Sequence, residues 1–187
     1  MRKLVICLHV SADGFVAGPN GEMDWIHVDD EIFDYAGYLT DEADTALYGR
    51  ITYEMMDSYW PTAADQPGAS KHDIQHSTWY NSVNKVVLSK MLKGNLEKTR
   101  FVNENINEEI KKLKEKDGKN ILMFGSPTAV HSLMEFNLID EYWMFVNPVI
   151  LGEGKKMFDS VREKINLTLV EAKSFAAGVV GLHYKKA

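Results

Sequence analysis

The stretch from Asn120 to Phe158, NILMFGSPTAVHSLMEFNLIDEYWMFVNPVILGEGKKMF, does most to restrict the fold. Ile121–Phe124 is an apolar run of the length of a buried strand, and Gly125 ends it. Beyond it, apolar residues recur at Ala129, Val130, Leu133 and Met134, the spacing of one helical face. Ser126 is placed to cap that helix, Pro127 suits its first position and Asn137 suits its end. Tyr142–Val146 reads as a second buried strand. A strand, a glycine turn, a helix and a strand make a right-handed crossover, which predicts a parallel strand pair. Such a turn leaves backbone N–H groups at the positive end of a helix, a ready anion site. A glycine at that place also serves simply to make the turn tight.

The rest of the chain repeats this alternation. Lys3–Val10 is rich in branched apolar residues and reads as a central strand. Ser11–Trp25, with three glycines and a proline, is a loop, and a long loop in a compact domain points to function. Asp29–Leu39 has a helical apolar face at Ile32, Phe33, Ala36 and Leu39, with acids at its positive end. Thr45–Tyr48 reads as a strand, Gly49 ends it, and Arg50–Met56 starts a helix, so the strand–glycine–helix junction occurs twice. Pro61–Ser70 has turn composition and is expected to be exposed. Lys71–Ser82 reads as a helix, Lys85–Leu88 and Arg100–Val102 as strands, and Asn107–Lys116 as a charged surface helix that Gly118 terminates. Asn166–Phe175 and Val179–Lys185, joined by Ala176–Gly178, form a terminal hairpin. This order predicts an α/β fold with a mostly parallel sheet and antiparallel C-terminal strands.

Length and charge narrow the functional classes. At 187 residues the chain fits one domain, residues 1–187. A net charge of −6 and a pI near 5.5 argue against a nucleic-acid partner. The opening apolar run is too short to span a membrane, and His9 and Asp13 spoil it as a secretory signal, so the expected setting is cytoplasmic. Cys7 is the single cysteine and reads as an inert core residue. His72 and His76 share a helical face but have no evident third ligand, so they are expected on a solvated face and no metal is expected. No nucleophile–base pair stands out.

Taken in order, several stretches resemble the dihydrofolate reductase-like fold. They are SADGFVAG (Ser11–Gly18), MDW (Met23–Trp25), YGRITYEMM (Tyr48–Met56), VVLSK (Val86–Lys90), FGSPTAV (Phe124–Val130) and IDEYWMFVNPVILGEGKKMF (Ile139–Phe158). They are most similar to stand-alone homologues of the reductase domain of the bifunctional deaminase–reductase of riboflavin biosynthesis. With no deaminase domain ahead of it, the chain is expected to act as a reductase alone. The resemblance implies a three-layer α/β/α domain and an NADPH-dependent oxidoreductase acting on a small heterocycle. The two leading substrates are a diaminopyrimidine of the riboflavin pathway and a pterin. The alternative is a protein that binds the dinucleotide without turnover. In either case the cofactor supplies the hydride and the protein positions it and excludes water.

The resemblance also implies roles for individual residues. Gly49, Arg50 and Thr52 match a turn at the pyrophosphate and the adenosine phosphate. Ser89 and Lys90 match the adenine end, and Gly125, Ser126 and Thr128 the loop over the pyrophosphate and nicotinamide ribose. The family often has two glycines in that loop, whereas here Ser126 follows Gly125, and a side chain there narrows backbone approach. Asp13, Gly14 and Trp25 match a mobile lid beside nicotinamide and substrate. Asp30, five residues after Trp25, matches the carboxylate that anchors an aminopyrimidine edge, although a helix-end acid needs no such role and Asp29 or Glu31 could serve equally. Tyr142, Trp143, Phe145 and Val146 cannot share one strand face, so both faces are expected to be covered, by helices of the same chain or by a second copy, and the resemblance implies the second, a two-fold homodimer.

Overall fold

The computed structural model describes residues 1–159 and 161–187. The main sheet contains β1 (Leu4–Ser11), β3 (Ala43–Gly49), β4 (Asn84–Leu88), β5 (Asn95–Leu96), β6 (Thr99–Val102), β7 (Asn120–Phe124), β8 (Glu141–Asn147), β10 (Leu167–Ser174) and β11 (Val180–Lys186). Their order across the sheet is β10-β11-β8-β1-β7-β3-β4-β6-β5. The six strands from β8 to β6 run parallel, and β10, β11 and β5 run antiparallel at the two edges. Two short strands, β2 (Phe15–Ala17) and β9 (Lys155–Lys156), pair apart from this sheet.

Alternation of side chains sorts the core into two layers. Leu4, Ile6 and Leu8 of β1, with Ile121 and Met123 of β7, face α4 (Ile106–Glu115) and α5 (Pro127–Glu135). Val5 and Leu122 face the other way, onto α1 (Asp30–Asp41), while Ala46 and Val87 meet α2 (Arg50–Tyr59) and α3 (Lys71–Ser82). Helices therefore cover both faces, as expected. Lys114 departs from the plain solvated face expected of α4: it is buried, donating to the Leu138 carbonyl at 2.8 Å and pairing with Asp140 at 2.6 Å.

The crossover differs from expectation in one way that matters. β7 and β8 are not neighbours, because β1 lies between them and pairs in parallel with both. Ser126 stands at the start of α5, but in the left-handed region (φ 66°) and without a side-chain cap bond. Asn137 is left-handed (φ 57°) one residue past the C-cap Phe136, where an αL residue closes the last turn. The segment after α2 is a 3₁₀ helix (Trp60–Asp65) that buries Ala63, rather than an exposed turn throughout. On β8, Tyr142 enters one core layer and Trp143 and Phe145 the other, so the chain's own elements cover both faces. β8 therefore leaves no apolar face for a second copy to cover.

Candidate active site

Parallel strands bring their C-terminal ends to one edge. The chain leaves β1 for β3 by way of α1 on one face, and leaves β7 in the opposite direction for β8 by way of α5 on the other. A reversal of this kind opens a crevice at the strand ends.

The two glycine junctions meet there. A Cβ built on Gly49 would overlap the Ser126 side chain and lie 3.2 Å from Cβ of Ala129. A Cβ on Gly125 would face Oγ1 of Thr52 at 3.9 Å. Gly125 (φ 53°) and Ser126 (φ 66°) are consecutive left-handed residues, which turn the chain sharply from β7 into α5. Neither α2 nor α5 receives a side-chain cap. Elsewhere α1 is capped by Asp29, which accepts from the Ile32 N–H at 2.9 Å, and α3 by a Ser70–Asp73 capping box, while α4 also lacks a side-chain cap. Two neighbouring helices thus begin with backbone donors that no side chain satisfies, a donor set suited to a pyrophosphate.

The expected cofactor residues divide accordingly. Gly49, Thr52, Gly125 and Ser126 are brought together, and Thr128 is exposed in the first turn of α5. Arg50 is engaged with Glu54 on its own helix at 2.7 Å. Ser89 is buried and accepts at Oγ from the N–H groups of Met91 (3.1 Å) and Leu92 (2.9 Å), so its hydroxyl shapes the turn that presents the exposed Lys90.

The lid residues lie apart from the large cleft. Asp13 accepts from Oγ of Ser11 at 2.7 Å and from the N–H groups of Leu151 (3.2 Å) and Gly152 (2.8 Å). These bonds, the Ser11 one foremost, hold its carboxyl below the usual range and clamp the lid to the loop after β8. The Trp25 indole donates to the Glu22 carbonyl at 3.1 Å. Asp30 is an exposed first-turn residue of α1, and Asp29 makes the cap. None of the three lines the cleft.

That cleft, about 780 Å³, lies between α1 and α3 above the ends of β1, β7 and β8. Its lining includes Phe33, Trp60, His76, Trp79, Phe124 and Phe145. The α3 histidines, expected on a solvated face, are instead packed against aromatic side chains. The His72 ring stacks on Phe33 at 3.6 Å, and burial lowers its pKa. His76 is 8% exposed and packs on Trp60 at 4.1 Å. Its Nε2 is buried without a hydrogen-bond partner among the described residues. Burial, helped by nearby His72, pushes His76 down to about 3, and burial pushes His9, on the cleft floor, down to about 4. Burial raises the Cys7 thiol, also on the floor, to about 12, so it stays protonated and unreactive. One signal was available in the sequence: His72, His76 and Trp79 recur at helical spacing, a stripe of side chains able to line a wall.

A parallel sheet with helices on both faces, closed by an antiparallel C-terminal pair, is the dihydrofolate reductase-like architecture. The chain belongs to the RibD C-terminal domain family, whose model matches residues 2–181. It is 34% identical to the protein YyaP of Bacillus subtilis (strain 168) over 185 residues, covering 98% of this chain and 94% of YyaP. A putative riboflavin biosynthesis protein from Shewanella sp. PV-4 has a similar structure, with a TM-score of 0.75 and 22% identity, covering 100% of this chain and 99% of that one. So has the diaminohydroxyphosphoribosylaminopyrimidine deaminase/5-amino-6-(5-phosphoribosylamino)uracil reductase of Thermotoga maritima, with a TM-score of 0.67 and 14% identity, covering 100% of this chain and 57% of that one. No helix among the described residues is long and apolar enough to cross a membrane.

Proposed function

We propose that this protein is an NADPH-dependent reductase of a small heterocyclic substrate. The carrying observation is the meeting of two uncapped helix starts, at Gly49 and Gly125–Ser126, at the strand ends beside an aromatic cleft. The name of the Thermotoga relative, a reductase of a phosphoribosylaminouracil, supports the reaction class. Backbone N–H groups after Gly49 and Ser126, with the hydroxyls of Thr52 and Thr128, would hold the pyrophosphate. Arg50 and Lys90, the latter presented by the Ser89 turn, would meet the adenosine phosphate. The exposed Arg50–Glu54 pair is weak enough to exchange for a phosphate. When bound, the dinucleotide supplies the hydride. The chain's own part is to orient the substrate ring in the cleft, while the Asp13-clamped lid and Trp25, which stand outside the cleft's lining, would shield the nicotinamide from water. Asp30, in the first turn of α1 near Lys71, stands outside the cleft's lining. The setting proposed is cytoplasmic.

A second reading, dinucleotide binding without turnover, draws on Ser126, whose side chain packs against Gly49 and narrows the cradle. Both readings are tested by titrating NADPH and NADH and by following NADPH absorbance with pterins, pyrimidines and quinones. A charged hydrogen bond contributes roughly 1.5–3 kcal/mol, so NADPH should bind about tenfold or more tighter than NADH. Arg50→Ala with Lys90→Ala should abolish that preference. Equal affinities in the parent would reject the cofactor assignment. Saturable binding with no turnover on any substrate would favour the second reading.

A further inference from the structure

The cleft carries a statement about substrate class, and it rests on the reductase reading. Neither lysine nor arginine is among its described lining residues, and its ionised groups are two acids, Asp34 and Asp41. Lys71, next to His72 on α3, pairs with Asp34 at 2.6 Å. The imidazoles of His9, His72 and His76 are all held towards the neutral form by burial. A phosphate carries close to two negative charges at neutral pH, and desolvating it without a cation or a set of donors is unfavourable. The walls suit a flat ring: Trp60, Trp79 and Phe124 surround His76, and the Phe33–His72 stack links α1 to α3. The volume is in the range of small-molecule sites. The lining carries some polar side chains, Thr40, Gln75 and Thr78 among them, and Nε2 of His76 is buried without a partner among the described residues.

We infer that the cleft takes a planar, uncharged aromatic ring bearing no phosphate, stacked among the α1 and α3 aromatics, with the His76 imidazole hydrogen-bonding its polar edge. The chain thereby differs from a reductase of a phosphoribosyl substrate. A neutral imidazole offers one donor and one acceptor, so it can meet a ring carbonyl or a ring N–H by choice of tautomer. With neither lysine nor arginine among the described lining residues, a phosphorylated counterpart finds no cation there.

Calorimetry on the intact protein, without NADPH, tests this with lumazine, pterin, menadione and riboflavin, and with FMN as the phosphorylated partner of riboflavin. At least one uncharged ring should bind with a dissociation constant of about 100 μM or lower, and FMN should bind about tenfold or more weaker than the tightest of them. His76→Phe, which keeps the aromatic packing, should weaken the bound ring by about tenfold, and His76→Gln should recover part of that loss. FMN binding as tightly as the best uncharged ring overturns the inference, as does the failure of all four rings to bind at millimolar concentration. Unchanged affinity in a folded His76→Phe variant overturns the role of His76. Because no cofactor is present, a protein that never oxidises NADPH can still satisfy these outcomes. NADPH turnover on a phosphorylated ring alone would overturn this inference and leave the reductase reading intact.

Discussion

Ser126 occupies a conformation that suits glycine, and its side chain fills the space that Gly49 leaves. Left-handed backbone costs an L-residue roughly 1–2 kcal/mol, while glycine loses roughly 0.5–1 kcal/mol through the greater freedom of the unfolded chain. Ser126→Gly should therefore leave stability within about 1 kcal/mol of the parent in urea titrations and tighten NADPH binding. Gly49→Ala should destabilise by about 1–3 kcal/mol, since the new methyl would lie 2.9 Å from Cβ of Ser126 and 3.2 Å from Cβ of Ala129. The double variant should recover part of that loss, and an additive outcome would show that the two residues do not share the space. The buried histidines set a second residue-scale expectation. His9 and His76 titrate near 6.5 in an unfolded chain and at about 4 and about 3 in the folded protein. Folding favours their neutral forms, so their contribution is fully present above about pH 6.5 and is lost as pH falls towards the folded values. Each should cost about 1.4 kcal/mol per pH unit within that window. Melting temperature measured from pH 7.5 to 4.5 should fall, and it should fall less steeply in His9→Gln. A profile of unchanged slope in the variant would show that His9 is not one of the groups taking up protons.

Among the elements, those driven by apolar periodicity were the most legible. β1, β3, β7 and α5 follow their hydrophobic runs to within a few residues, and the glycine junctions follow from Gly49 and Gly125. α3 was legible as a helix, but its role was not. The side chains it buries include His76, Ser77 and Tyr80, so a polar sequence hides an inward face that only tertiary packing defines. The neighbours of β1 were also hidden, because strand order is a long-range property that no local pattern encodes. In the candidate site, the convergence of Gly49, Thr52 and Gly125 could be read ahead, while the cleft wall could not. Asp13 shows the same limit, since its partners Leu151 and Gly152 are remote in sequence. Asp13→Asn, which weakens the acceptor of three hydrogen bonds, should raise amide exchange at Leu151 and Gly152 with little change in α4. Unchanged protection at both amides would mean that the clamp does not hold the lid.

At the scale of the whole molecule, the exposed apolar surface moves from β8 to β10. Leu169 (53% exposed) and Val170 (51%) lie on this strand at the sheet's edge, where unpaired backbone invites another strand. We propose that the protein forms a homodimer through β10. Light scattering at low micromolar concentration should then report twice 21.2 kDa for the parent and 21.2 kDa for Leu169→Lys with Val170→Glu. A parent found only as the smaller species would reject the dimer. The place of β1 between β7 and β8 has a different kind of consequence, in the order of events at the ribosome. β1 is translated ahead of both its neighbours, since Cys7 rests against Phe124 on one side and Trp143 on the other. At typical elongation rates, its second neighbour follows on the order of ten seconds later. Until β7 is made, this apolar segment has no partner on either side, and until β8 is made one side stays open, so this part of the sheet closes only after both have left the ribosome.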